Sequence, residues 1–473
     1  MNTPIADFVE KYAKQNMSRM HMPGHKGKGF LGCERFDITE VSGADSLYEA
    51  DGIIAESENN AAKLFGTGRT VYSTEGSSQC IRAMLYLALQ NWKMQNRQQK
   101  NGQRKPVVVA ARNVHKAFVY AAVLLDFDIQ WLWPEGEMNS LCSCQVSKEM
   151  VEETLFSLKE KEITPAAVYL TSPDYLGQQQ DIEGIVKVCH KFGTLLIVDN
   201  AHGAYLHFTK EAMHPMDLGA DLCSDSAHKT LPVLTGGAYL QLSKNLPEEI
   251  IASAKSAMSL FGSTSPSYLT MISLDKCNAY LAGEYRRELN EIMEHIKQLK
   301  KVLEASGWSV ILGEPLKMTI QMPEAVSGIE YAEYLRSYQV ECEYADPDFV
   351  VFMFTTNNTN EDFERIRQAF CGKTSDMQSY KRKVNDAIKA ERKLMPAKCQ
   401  QVMSVRDAVF SIHEEITVKE ALGRICASPA VSCPPAIPIA VSGERIDENA
   451  IALFEYYGIS TVDVIKESCY TKR

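Results

Sequence analysis

Between Arg69 and Ser243 the chain alternates short β-rich runs with helical stretches, and few architectures satisfy that pattern. The β-rich runs lie at 70–73, 107–111, 129–133, 166–171, 194–199 and 237–242, with a further strand-like DLCSDS near 221–226. Helical segments at 77–93, 114–125, 148–159 and 182–191 separate them. Runs such as VVVAA and LLIVD are apolar at successive positions, so both faces of each strand must be covered. Helices connecting such strands give a mostly parallel sheet with right-handed crossovers, an α/β fold. Ligands of these sheets bind beyond the carboxyl ends of the strands, so the polar residues following each strand are where chemistry is expected.

The flanking sequence adds smaller parts. Thr3-Pro4 suits an N-cap followed by proline in the first turn, which starts a helix running to about Gln15. HMPGHKGKGF, from His21 to Phe30, carries too many glycines for an element interior and reads as an ordered loop. IIAESENNAAKLFG reads as a helix stopping at Gly66, and a long helical region follows Ser265-Pro266 to about Ala305. WSVIL, KMTIQM and VVFMFT with two further helices give a smaller α+β domain, and a polar break at 371–379 precedes a last segment. The expected division is 1–50, an N-terminal helix and loop; 51–270, the large domain; 271–372, the small α+β domain; and 380–473, a C-terminal α+β domain.

Composition excludes several classes. A formal charge of −10 argues against nucleic acid as a partner, and the basic stretch at 380–393 reads as a solvated helix face. No apolar run reaches the ~20 residues that span a bilayer, and the first twenty residues are too polar for a signal peptide. The thirteen cysteines are scattered, and Cys142 and Cys144 have no second pair at zinc-site spacing. The expectation is a cytoplasmic protein with reduced thiols, no metal centre and no membrane partner.

The chemistry centres on Lys229, in DLCSDSAHKTLPVLTGG between two strand-like runs. A lysine there either pairs with a carboxylate or becomes a nucleophile, because an unpaired buried ammonium is costly. Asp199, thirty residues upstream at the end of LLIVD, narrows the choice. A lysine amine for the aldehyde and an anion for the pyridine nitrogen are what pyridoxal phosphate requires. STEGSSQ adds a turn at Gly76 with Ser77 and Ser78 opening a helix, whose free amides favour a phosphate. His115, just beyond VVVAA, is placed to stack on the ring, and His202, three residues after Asp199, approaches the same ring.

These strings, HMPGHKG, STEGSSQ, RNVHKA, VDNAHGAYLHF, SAHKTLP and STSPSY, with CPPAIP…GERI near the C-terminus, resemble the Orn/Lys/Arg decarboxylase family in its short form, without the N-terminal response-regulator-like domain. The resemblance covers roughly residues 20–460 in family order. It implies the aspartate-aminotransferase-like fold, type I, with a mostly parallel seven-stranded sheet, and a homodimer as the minimum active unit, larger homo-oligomers being left open. It makes Lys229 the Schiff-base lysine, Asp199 the pyridinium partner and His115 the stacking ring. Ser226 and His228 match positions near the phosphate, and Ser263 and Thr264 match a stretch approaching the cofactor from the neighbouring subunit. His21, His25 and Lys26 match an active-site loop.

The implied reaction is loss of CO₂ from an amino acid: lysine, ornithine or arginine. Asp45, Glu49 and Glu56 are the nominees for binding a basic side chain. Relatives carry a leucine-aspartate-aspartate-leucine-histidine string where this chain reads Ala44-Asp45-Ser46-Leu47-Tyr48-Glu49-Ala50, and Ala436 replaces a usual glycine. Tyr48 in that altered loop keeps an aromatic or neutral substrate open. An aminotransferase, a β-eliminating lyase and a catalytically silent regulatory homologue compete with the decarboxylase reading.

Overall fold

The computed structural model describes residues 1–96, 105–134, 140–323, 326–372, 395–431 and 437–467. The basic stretch 380–393 and Ala436 lie outside them. The alternating region forms strands β1 (Arg69–Ser73), β2 (Val107–Ala111), β3 (Asp128–Leu132), β4 (Ala167–Thr171), β5 (Leu195–Asp199), β6 (Leu222–Asp225) and β7 (Ala238–Leu242). They make a seven-stranded sheet in the order β1-β7-β6-β5-β4-β2-β3. The β2/β3, β4/β5 and β5/β6 pairs are parallel, whereas β7 runs antiparallel to both β6 and β1. The link from β6 to β7 contains only the four-residue helix Ala227–Thr230, and the chain turns back along β6.

The chain forms two compact units. The first comprises 1–101, 166–172 and 181–290. It contains helices α1 (Pro4–Lys14), α2 (Ile53–Phe65) and α3 (Ser77–Gln95) together with β1, β4, β5, β6 and β7. Its core is apolar on both sides of the strands: Val71, Leu196, Ile197, Val198, Leu222 and Leu240 are wholly buried, as are Cys80, Met84 and Leu85 of α3. Gly66 ends α2 in the left-handed conformation, φ +65°, where a residue without Cβ is unstrained. Thr3 makes no capping bond to α1. Instead the carboxylate of Asp275 accepts the Ile5 and Ala6 amides, each at 2.9 Å, a long-range cap that no local pattern announces. The long helical region after Pro266 is two helices, Tyr268–Leu281 and Tyr285–Ala305.

The second unit comprises 102–165, 173–180 and 291–473. It holds β2, β3 and a four-stranded antiparallel sheet of β8 (Ser309–Ile311), β9 (Lys317–Gln321), β10 (Tyr344–Ala345) and β11 (Phe349–Met353), in the order β10-β11-β9-β8. Its C-terminal part has a core built from Val418, Cys426, Ile439, Leu453, Phe454 and Val464. Arg112, at the end of β2, is buried against this part. It pairs with Glu444 at 3.0 Å and lies over the rings of Trp131 and Trp133. Cys142 and Cys144 are buried free thiols. Among the described residues no helix is long and apolar enough to cross a membrane.

Candidate active site

Asp199 closes β5, at the carboxyl end where the sheet directs chemistry, and is 2 % exposed. Its backbone is held from both sides: it is in register with Thr171 of β4 and Ser224 of β6, and its carbonyl accepts the Ser172 amide at 3.0 Å. Oδ2 accepts a hydrogen bond from the Tyr169 hydroxyl at 3.1 Å, while Oδ1 is buried with no hydrogen-bond partner. Burial pushes the carboxyl up to about 6, against the pull of the Lys229 charge and the Tyr169 hydroxyl. An orphaned carboxylate oxygen in such a place needs a cationic or N–H partner.

Lys229 sits on the four-residue helix that follows β6, its amide bonded to the Ser226 carbonyl at 3.0 Å. Its Nζ stands 3.0 Å from Nε2 of His202, which is buried. The neighbouring His228 donates from Nδ1 to the Gly237 carbonyl at 3.0 Å, and burial lowers its pKa, so it is neutral near pH 7. The Ser226 hydroxyl is buried and unpartnered, a second orphan beside the lysine turn.

The turn before α3 is bound to the same region through one glycine pair. The Gly76 amide donates to Gly236 at 2.7 Å, and the His228 amide donates to Gly237 at 3.1 Å. A side chain at Gly236 would press its Cβ to 2.6 Å from the Thr74 carbonyl, which explains a glycine there. Gly76 itself caps α3 with φ +74°, so Ser77 and Ser78 are the first helical residues rather than caps. Their amides precede the first intrahelical bond and remain available to an anion at the positive end of a nineteen-residue helix.

The remaining expected residues are placed as follows. His115 lies in the second unit and caps α4 (Lys116–Leu125), its Nδ1 accepting the Ala117 amide at 3.1 Å. The helix therefore starts two residues later than the periodicity at 114 suggests, because the cap is extended. His21 stands 2.7 Å from the Tyr12 hydroxyl, and His25 bonds Asp37 at 3.2 Å and accepts the Gly27 amide at 3.0 Å. The Lys26 ammonium donates to the His21 carbonyl at 2.6 Å. Ser263 and Thr264 are exposed, and the Ser263 amide donates to the Glu75 carboxylate beside the Gly76 turn.

Asp45 and Tyr48, nominees for the substrate pocket, are engaged within the chain. Asp45 is 6 % exposed, and both its oxygens accept backbone amides: Ser46 at 3.0 Å, Gly52 at 2.9 Å and Ile54 at 3.0 Å, with Asp51 and Ala55 at longer range. It caps the start of α2 and leaves no oxygen for a basic side chain. Tyr48 accepts a bond from Gln79 Nε2 at 2.8 Å, so its polar end lies at the first turn of α3, the phosphate-type turn.

Two groups were not evident from sequence. Tyr169 is one. The other is Asp225, the last residue of β6, which accepts from Asn200 at 2.6 Å and Gln241 at 3.0 Å and pairs with buried His214 at 3.1 Å. Burial pushes Asp225 up, but the charge and hydrogen bond of His214, with the two amides, outweigh it and hold the carboxyl below its usual range. The signal was a second acid ending a strand, next to Ser226. His214, Cys223 and Asp225 place ligand-type atoms within 4.8 Å of one another, but the three nitrogen contacts already engage the carboxylate.

A sheet of this order, with a lysine acting across from an orphaned strand-end acid, narrows to one class: pyridoxal-phosphate enzymes of the aspartate-aminotransferase fold. The residues fit that cofactor, since its ring nitrogen answers the free Oδ1 of Asp199 and its phosphate answers Ser226 and the α3 amides. The major-domain profile of the Orn/Lys/Arg decarboxylases matches residues 3–368, and their C-terminal-domain profile matches 381–462. The chain belongs to the Orn/Lys/Arg decarboxylase family, and it is a pyridoxal-phosphate-dependent amino-acid decarboxylase. It is similar to an arginine decarboxylase of Bacillus subtilis, 28 % identical over 476 residues that cover 95 % of this chain and 92 % of the relative. It also resembles the constitutive lysine decarboxylase of Escherichia coli, at 19 % identity over 96 % of this chain and 76 % of that one. Among solved structures, the Francisella novicida lysine decarboxylase shares the fold with TM-score 0.79 at 16 % identity, covering 98 % of this chain and 81 % of its own.

Proposed function

We propose that the protein decarboxylates a basic amino acid, arginine, lysine or ornithine, and releases the corresponding amine. The observation that carries the site assignment is the buried Asp199 carboxylate, half bonded and half free, under the charge of Lys229. Pyridoxal phosphate, when bound, supplies an aldehyde that captures amines and a ring that accepts the electron pair left as CO₂ departs.

The chain's own residues do the rest. Lys229 would hold the cofactor through its amine, the group that the cofactor's aldehyde can capture. Asp199 Oδ1 holds the proton on the ring nitrogen, a charge-assisted bond worth about 1.5–3 kcal/mol. Ser77, Ser78 and Ser226 bind the phosphate, with neutral His228 beside them. His202, within 3.0 Å of Lys229 Nζ, passes a proton to or from that amine, so that one of the two returns a proton to the substrate carbon. His115, whose Nδ1 accepts the Ala117 amide, is the ring that the family resemblance assigns to stack on the cofactor.

Two copies of the chain form the working unit, the exposed Ser263 and Thr264 of one reaching the other's cofactor. The similarity of the whole length to an arginine decarboxylase supports the basic substrate. Tyr48, bonded to Gln79, no longer argues for an aromatic one. Measuring CO₂ release with each amino acid tests the proposal: arginine, lysine or ornithine is turned over, and activity confined to phenylalanine, tyrosine or tryptophan refutes it. A keto acid in place of an amine product would mark an aminotransferase.

A further inference from the structure

We propose that Tyr169 is a positioning residue for the cofactor: its hydroxyl holds one oxygen of Asp199 so that the other faces the ring nitrogen as an anion. The inference rests on the assignment of Asp199 made above. Tyr169 is wholly buried in β4 and pairs in register with Ile197 of β5, two residues before Asp199. Side chains two apart on a strand share a face, so the tyrosine and the acid project to the same side of the sheet. The hydroxyl meets Oδ2 at 3.1 Å and leaves Oδ1 unpartnered.

Rotation about the terminal bond of an aspartate is soft and roughly two-fold, so backbone register alone does not set which way the carboxylate plane lies. One directional bond to one oxygen does. The bond also bears on charge. Burial and the neighbouring Asp225 favour the acid form of Asp199, whereas Lys229 and Tyr169 favour the carboxylate. The backbone amide of Ala201 also favours the carboxylate, and of the side chains that do so Tyr169 is the neutral one, its bond independent of whether the Lys229 amine is engaged.

The test loads the holoenzyme with pyridoxal phosphate labelled with nitrogen-15 in the ring and reads that nitrogen by NMR, alongside cofactor affinity by dialysis. In the wild type the ring nitrogen resonates as protonated. Tyr169→Phe moves it toward the unprotonated position and weakens cofactor binding about tenfold, the loss expected for one hydrogen bond to a charged group. Tyr169→Leu, a second apolar replacement suited to a strand, moves it the same way and serves if the phenylalanine variant does not accumulate. Asp199→Ala is the control. If it leaves the ring nitrogen unchanged, the Asp199 assignment fails and this inference with it. If it shifts the nitrogen while both Tyr169 variants keep the wild-type signal, the inference alone is overturned, even where those variants melt at a lower temperature.

Discussion

Replacing Asp199 by asparagine should make the cofactor-free protein more stable, and binding of the cofactor should take most of that gain away. The side chains are isosteric, and the Tyr169 hydroxyl can still donate to the amide oxygen, so the change is close to removal of one charge. Burial raises the carboxyl from 3.8 to about 6. A shift of that size corresponds to about 3 kcal/mol at 1.36 kcal/mol per pKa unit, the cost of keeping the ionised acid buried without its partner. The sign follows from proton counting. Between pH 3.8 and about 6 the folded protein binds more protons at this site than the unfolded chain, so apo stability falls as pH rises through that window. The cost is fully present above it. Urea unfolding of the apo-proteins at pH 8 should therefore show Asp199→Asn ahead by up to about 3 kcal/mol, with the gap closing as pH falls toward 4. With pyridoxal phosphate added the gap narrows by about 1.5–3 kcal/mol, because the variant loses a charge-assisted bond of that size and binds cofactor roughly 10–100-fold more weakly. An apo variant less stable than wild type at pH 8 would refute the reasoning, since it would show that the acid is already well satisfied by the protein.

Two further outcomes follow from the loops around the site. Asp45→Ala removes three short bonds to amides at the start of α2 and should cost about 3 kcal/mol, read as a lower urea midpoint, while KM for the amino acid stays within about twofold; a raised KM at unchanged stability would restore it as a substrate acid. Tyr48→Phe removes the bond to Gln79 and should weaken cofactor binding a few-fold, about 0.5–1.5 kcal/mol by equilibrium dialysis, without changing which amino acid is preferred; a switch in preference would return Tyr48 to the substrate pocket.

The sheet was legible because its strands are apolar at successive residues and end on polar ones. VVVAA and LLIVD could be assigned from periodicity alone, and the observed β2 and β5 agree with them to within a residue. Asp199 and Lys229 were legible for the same reason, as polar residues placed where buried strands stop. What escaped was long-range pairing. Asp275 caps α1 across more than 260 residues, and Tyr169 reaches Asp199 across thirty. Neither leaves a local pattern. The capping role of Asp45 escaped for the same reason: its side chain meets the amides of a helix start seven to nine residues ahead. The link that carries Lys229 holds only one short helix, and β7 returns antiparallel after it.

The central claim is that Lys229 is the amine that holds the cofactor. Reducing the holoenzyme with borohydride fixes pyridoxal phosphate covalently wherever it is bonded, and peptide mass spectrometry then locates it. The phosphopyridoxyl group is predicted on the lysine of SAHK and nowhere else; its recovery on another lysine, or on none, would contradict the account.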